Sequence, residues 1–140
     1  MIPAVGRAVT AVAISNTEDL AFGKFAAGSG GTVAISATGV RSASGGVILV
    51  TSATGAAAKF TVSGDPNLTY SISLPADGTI TLASGAQTMA LKAFSSSPSG
   101  IGQLSAGGTQ TLSVGATLTV GGNQTTGSYS GAFDVTVDYN

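Results

Sequence analysis

The side chains able to exchange protons, attack or bind metal are few in this 140-residue chain, which has no Cys and no His. Zinc sites of the usual Cys/His type, disulfides and His- or Cys-based catalysis are therefore excluded by composition. The carboxylates are Glu18, Asp19, Asp65, Asp77, Asp134 and Asp138. Glu18-Asp19 and Asp65 fall in expected turns, where Asp commonly bonds its own backbone. Asp134 and Asp138 stand four residues apart on one extended run, about 13 Å from each other. That separation is too long for a carboxylate pair acting on one bond. The glycine-rich stretches AGSGGT and GSYSG have neither the Lys nor the following helix of a phosphate loop. Asn67-Leu68-Thr69 and Asn123-Gln124-Thr125 match the N-glycosylation pattern, which is too common to carry weight. The expectation is a protein that is not an enzyme and needs no catalytic, cofactor-binding or metal-binding residues.

Charged residues make up 8% of the chain and the formal net charge is -1. Five Lys and Arg form no stripe that could neutralise phosphates, so nucleic acid is not an expected partner. No run approaches the ~20 apolar residues of a spanning helix. The longest, Val47-Ile48-Leu49-Val50, fits a buried strand. The start, MIPAVGRAV, lacks the basic and apolar regions of a signal peptide, so a mature or trimmed form is expected.

The elements follow from periodicity. Gly, Ala, Ser, Thr and Val dominate, a composition suited to strands joined by tight turns. In the last segment, GSYSGAFDVTVDY, the odd positions Tyr129, Gly131, Phe133, Val135, Val137 and Tyr139 are apolar or Gly, and Ser130, Ala132, Asp134, Thr136 and Asp138 lie between them. Such alternation predicts one long strand with a buried and a solvated face. Leu112, Val114, Ala116, Leu118 and Val120 predict another, and Met89, Leu91 and Ala93 the inner face of a third. Residues 58–74, folded about Asp65-Pro66-Asn67, predict a hairpin. Leu20, Phe22 and Phe25 form a further buried segment, and Gly45-Gly46 breaks the run from Val40 to Thr51. The sum is nine or ten short strands in one domain without a helix, a β-sandwich or barrel pattern.

Residues 2–14 alternate imperfectly: Val5 and Val9 share one parity, Val12 and Ile14 the other. A one-residue slip reverses the faces of a strand. The segment is either the molecule's own first strand, packed beside its last, or an arm with a separate role. The phase change near Thr10 favours a division into an arm at 1–11 and a domain at 12–140.

The two ends carry a resemblance. Subunits of chaperone–usher pili end in an alternating apolar strand with a penultimate Tyr and a Gly fourteenth from the end, the positions of Tyr139 and Gly127 here. TTGSYSGAFDVTVDY is similar to the C-terminus of archaic-pilus and spore-coat-like subunits. Over residues 17–140 the chain more closely resembles the secreted bacterial family named domain of unknown function 4402, through DLAFGKFAAGSGGTVAIS, FTVSGDPNLTYSISLP, QTLSVGATLTVG and GSYSGAFDVTVDY. The family resemblance implies a secreted, immunoglobulin-like β-sandwich.

The pilin-like ends imply that the sandwich is completed by a donated N-terminal strand, although the disulfide of many pilins is missing. The donor residues would be Ile2, Val5, Ala8, Val9 and Ala11. The acceptor would be the C-terminal strand, with Gly127 and Tyr129 at its start and Phe133, Val135, Val137 and Tyr139 along its apolar side. The small arm residues would suit a shallow groove. The expected function is a structural subunit of an extracellular filament, with copies of itself as partners and an assembly chaperone and usher in support. The alternative is a monomeric surface-binding module directed at glycans or at adhesion.

Overall fold

The computed structural model describes residues 4–6, 8–52 and 54–140. Its twelve strands are β1 (Ala13–Glu18), β2 (Lys24–Ala26), β3 (Gly31–Ile35), β4 (Arg41–Gly45), β5 (Ile48–Val50), β6 (Ala58–Ser63), β7 (Thr69–Ser73), β8 (Thr81–Ser84), β9 (Gln87–Ser97), β10 (Ile101–Gln103), β11 (Thr109–Val120) and β12 (Thr136–Tyr139). No helix occurs among the described residues, and the chain is an all-β sandwich.

β11 is the spine. Leu112, Val114, Ala116, Leu118 and Val120 are all buried, as their alternation requires. β6 pairs with Thr109–Val114 and β3 with Ala116–Val120. β9 pairs with the middle of β11, overlapping both at residues 113, 114, 117 and 118. A strand has only two edges, so β6 and β3 lie end to end along one edge and β9 occupies the other. β1 extends this seven-stranded sheet beyond β6, β4 beyond β3, and β8 beyond β9.

The second layer is in two pieces. The ladder β10–β7–β12 places Tyr70, Val135 and Val137 in one apolar cluster with Phe60, Val62, Leu112 and Val114. The two-stranded ladder β2–β5 lies toward the other end, where Phe22 and Val47 join Val33, Ile35, Met89, Leu91 and Leu118. Arg41 on β4 ties this small ladder to the main sheet. Its Nη1 donates to the carbonyls of Phe22 and Lys24, both at 3.0 Å, and its Nη2 to that of Val50 at 2.8 Å.

Four expectations need correction. Residues 58–74 are not a hairpin: β6 belongs to the main sheet and β7 to the second layer, so the turn at Asp65-Pro66-Asn67 is a crossover between layers. Buried Asp65 and left-handed Asn67 (φ 66°) redirect the chain there. Val47–Val50 is not a buried strand, because a two-stranded ladder covers only one face and Ile48 remains 65% exposed. Ala93 does not face inward: its φ of 52° sits at a β-bulge opposite Gly115–Thr117, which reverses the phase so that Phe94 and Ser96 turn in. The expected terminal strand is also shorter. Only Thr136–Tyr139 pair with β7, and Ser130 makes an isolated bridge to Ala83.

Candidate functional site: an apolar groove and an exposed arm

Between the two ladders the second layer is open, leaving a cavity of about 1320 Å³. Its floor is the main sheet, contributed by Ala58, Phe60, Met89 and Leu118. One wall is the segment 19–28 with Val50, the other the segment 123–133. The volume exceeds the ~300–1,000 Å³ of ordinary small-molecule sites.

Each wall has its own fixing. Arg41 holds the first through the three carbonyls of Phe22, Lys24 and Val50. Gln124 holds the second: its Oε1 accepts from the Gly121 N–H (3.2 Å), and its Nε2 donates to Tyr129 Oη (3.1 Å) and the Thr88 carbonyl (3.3 Å). The Tyr129 hydroxyl donates in turn to the Thr125 carbonyl at 2.6 Å. Gly131 lies so close to β8 that a Cβ there would come within 2.3 Å of the Thr81 carbonyl oxygen, which excludes any larger residue without movement. Phe133 crosses toward the floor, its ring 6.4 Å from that of Phe60 in an edge arrangement and 5.2 Å from that of Phe94.

Gly131–Val135 carry the alternation of a strand, with Phe133 half-buried and Val135 buried, yet they belong to no ladder among the described residues. Their backbone is an unpaired edge beside an apolar groove, the situation proteins normally avoid or cover.

The arm leaves the domain at a junction of three residues. The Tyr139 hydroxyl donates to the Thr10 carbonyl and accepts from the Asp65 N–H at 2.8 Å, while the Thr10 N–H donates to Asp65 Oδ1 at 3.0 Å. Gly64 makes room for this, since a Cβ there would lie 2.3 Å from Tyr139 Oη. Outward of Thr10, Ala4, Val5, Gly6, Ala8 and Val9 are all exposed and none pairs in a ladder, Val5 at 96% and Val9 at 44% exposure. Ala11 is exposed and Val12 half-buried, and β1 begins at Ala13.

β1 and β6 are antiparallel, with Ala13 opposite Ser63 and Asn16 opposite Phe60. The arm exits beside Ser63 and Tyr139, whereas the groove is lined by Asn16, Ala58 and Phe60. Arm exit and groove thus lie toward opposite ends of one ladder.

Of the residues expected to form the acceptor, Gly127, Tyr129 and Phe133 line the groove. Val135 and Val137 instead fill the core beneath β7, and Tyr139 is at the arm junction. Of the expected donors, Val5, Ala8, Val9 and Ala11 are exposed, and Ile2 lies outside the described residues. Arg41 and Gln124 were not legible as site residues. The one available signal was an Arg set in a run of Ser, Ala and Gly in a chain with so few charges.

The family described as domain of unknown function (DUF4402) matches residues 12–139. The chain belongs to the DUF4402 family. No curated protein and no solved structure matches it. The DUF4402 match begins at half-buried Val12, so the exposed residues 4–6 and 8–11 precede the matched segment. Among the described residues no helix is long and apolar enough to cross a membrane.

Proposed function

We propose that this chain is a structural subunit of an extracellular filament, in which the N-terminal arm of one copy completes the sandwich of the next. The observation that carries this reading is the pairing of an open apolar groove, bordered by the unladdered segment Gly131–Val135, with an exposed arm directed from the other end of the same ladder. A strand added to such an edge gains main-chain hydrogen bonds and inserts alternate side chains. With exit and acceptor at opposite ends, each contact leaves one groove and one arm unused, and the result is an open head-to-tail polymer.

Burying three to five small apolar residues contributes on the order of 5 kcal/mol. About five ladder hydrogen bonds at ~0.5–1.5 kcal/mol each add a similar amount. Association costs roughly 4–15 kcal/mol, so either contribution alone offsets only the low end of that range and a stable contact needs the arm seated along its whole length. Before assembly an exposed groove of this kind favours aggregation, which supports a role for an assembly chaperone and an usher. Secretion and an immunoglobulin-like strand arrangement belong to the same reading.

Electron microscopy of secreted material, with and without residues 1–11, tests the proposal. The full chain is expected to give filaments bridged by a neighbour's N-terminal strand, and the deletion a folded, aggregation-prone monomer. A full chain that stays monomeric and soluble would instead favour a surface-binding module, and filaments that persist without residues 1–11 would exclude strand donation.

A further inference from the structure

The arm has two faces. Arg7 lies outside the described residues, but in any extended seating of the arm residues 5, 7 and 9 would share one face and residues 4, 6 and 8 the other. Only one face can enter a neighbour's groove. The even face is free of charge but offers the groove only the two methyl groups of Ala4 and Ala8. The odd face supplies two Val side chains and brings Arg7 between them. A guanidinium entering an apolar site requires a partner.

The groove supplies one. Its charged lining residues are Asp19 and Lys24, and only the first can accept a cation. Asp19 is exposed and has no ion-pair partner among the described residues. An Arg stem can run along apolar surface while its head reaches a rim carboxylate. The lengths also agree, since the unladdered edge Gly131–Val135 and the arm segment Val5–Val9 are five residues each.

Resting on the filament reading, we infer that a second copy's arm seats with Val5 and Val9 directed into the groove and Arg7 paired with Asp19 at its rim. The single charge of the arm then fixes both face and register. Lys24, on the same wall as Asp19, rejects registers that would slide Arg7 along that wall to its own position.

Charge reversal in the full-length chain tests this. Asp19→Arg and Arg7→Asp, made singly, are expected to lower the yield of sedimentable polymer by at least about tenfold, through like-charge opposition at a desolvating contact. Combined, they are expected to restore the yield to within about twofold. Circular dichroism of each variant separates misfolding from failed assembly. A second comparison needs no charge change: Val5→Ser should depress assembly and Ala4→Ser should not. Single reversals that assemble like the parent, a double variant no better than the singles, or equal effects at Val5 and Ala4 would each overturn the register while leaving strand donation intact. If the parent chain itself forms no polymer under conditions where it is folded, the filament reading fails and the register falls with it.

Discussion

Tyr139→Phe removes one oxygen atom from the junction where first and last segments meet, and nothing else. That oxygen serves two partners: it donates to the Thr10 carbonyl and accepts from the Asp65 N–H at 2.8 Å. The ring stays, so packing against the cluster around Tyr70 and Val137 is retained. Asp65 is only 9% exposed, and water cannot freely replace the lost acceptor at its N–H. With ~0.5–1.5 kcal/mol for each hydrogen bond, and the upper end appropriate where a buried donor is orphaned, the expected loss is about 1–3 kcal/mol. For a domain of this size that is a fall in Tm of roughly 3–10 °C. Urea denaturation of purified monomer, compared with the parent at equal m-value, measures it. Amide exchange at Thr10 should quicken in parallel, because its N–H bond to Asp65 depends on the same geometry. A variant within about 0.3 kcal/mol of the parent, with Thr10 exchange unchanged, would show that the junction is a surface contact and does not hold the base of the arm.

Three further outcomes follow from the geometry. Arg41→Met keeps the aliphatic stem but strips three carbonyls of their donor, and should cost about 2–4 kcal/mol in chemical denaturation while loosening the Phe22–Lys24 wall in amide exchange. Phe133→Ala loses its ring contacts with Phe60 and Phe94 and should cost about 2–3 kcal/mol, less than the ~3–5 kcal/mol of a fully buried Phe because this one is half-exposed. Burial pushes the Tyr70 phenol above its ordinary value of 10.0. The folded state therefore holds the proton more tightly than the unfolded chain, so this contribution is fully present below pH ~10 and is lost as pH rises through the raised value. Denaturation midpoints should fall as pH rises above ~10, and Tyr70→Phe should flatten that decline.

What the sequence made legible was facing. The strict alternation at Leu112–Val120 describes the buried face of the spine, and the phase change near Thr10 sits next to the point where exposed Ala11 gives way to half-buried Val12. Pairing was far less legible. Asp65-Pro66-Asn67 has the composition of a hairpin turn, but composition does not distinguish a turn within a sheet from a crossover between layers, which is settled by where Tyr70 and Phe60 find apolar surface. Ala93 was misplaced because a β-bulge changes phase without a distinctive residue at the site. Arg41 was invisible because its partners are backbone carbonyls brought together from two separate segments.

The terminal segment shows why facing and pairing must be kept apart. From Tyr129 to Tyr139 every odd residue but Gly131 is at least half-buried and every even one is exposed, so the periodicity is satisfied at every position but that one. Yet the ladder covers only Thr136–Tyr139. Alternation is ordinarily sustained by two requirements together, one face in the core and a backbone that is hydrogen-bonded along its edges. Over Gly131–Val135 the first requirement is met within this chain and the second is not. In the filament proposed above, a neighbour's extended backbone would meet the requirement that this unladdered segment leaves open beside the groove. The alternation that marked this stretch in the sequence is thus accounted for in two parts, one by the fold and the other by the strand proposed to come from a neighbour.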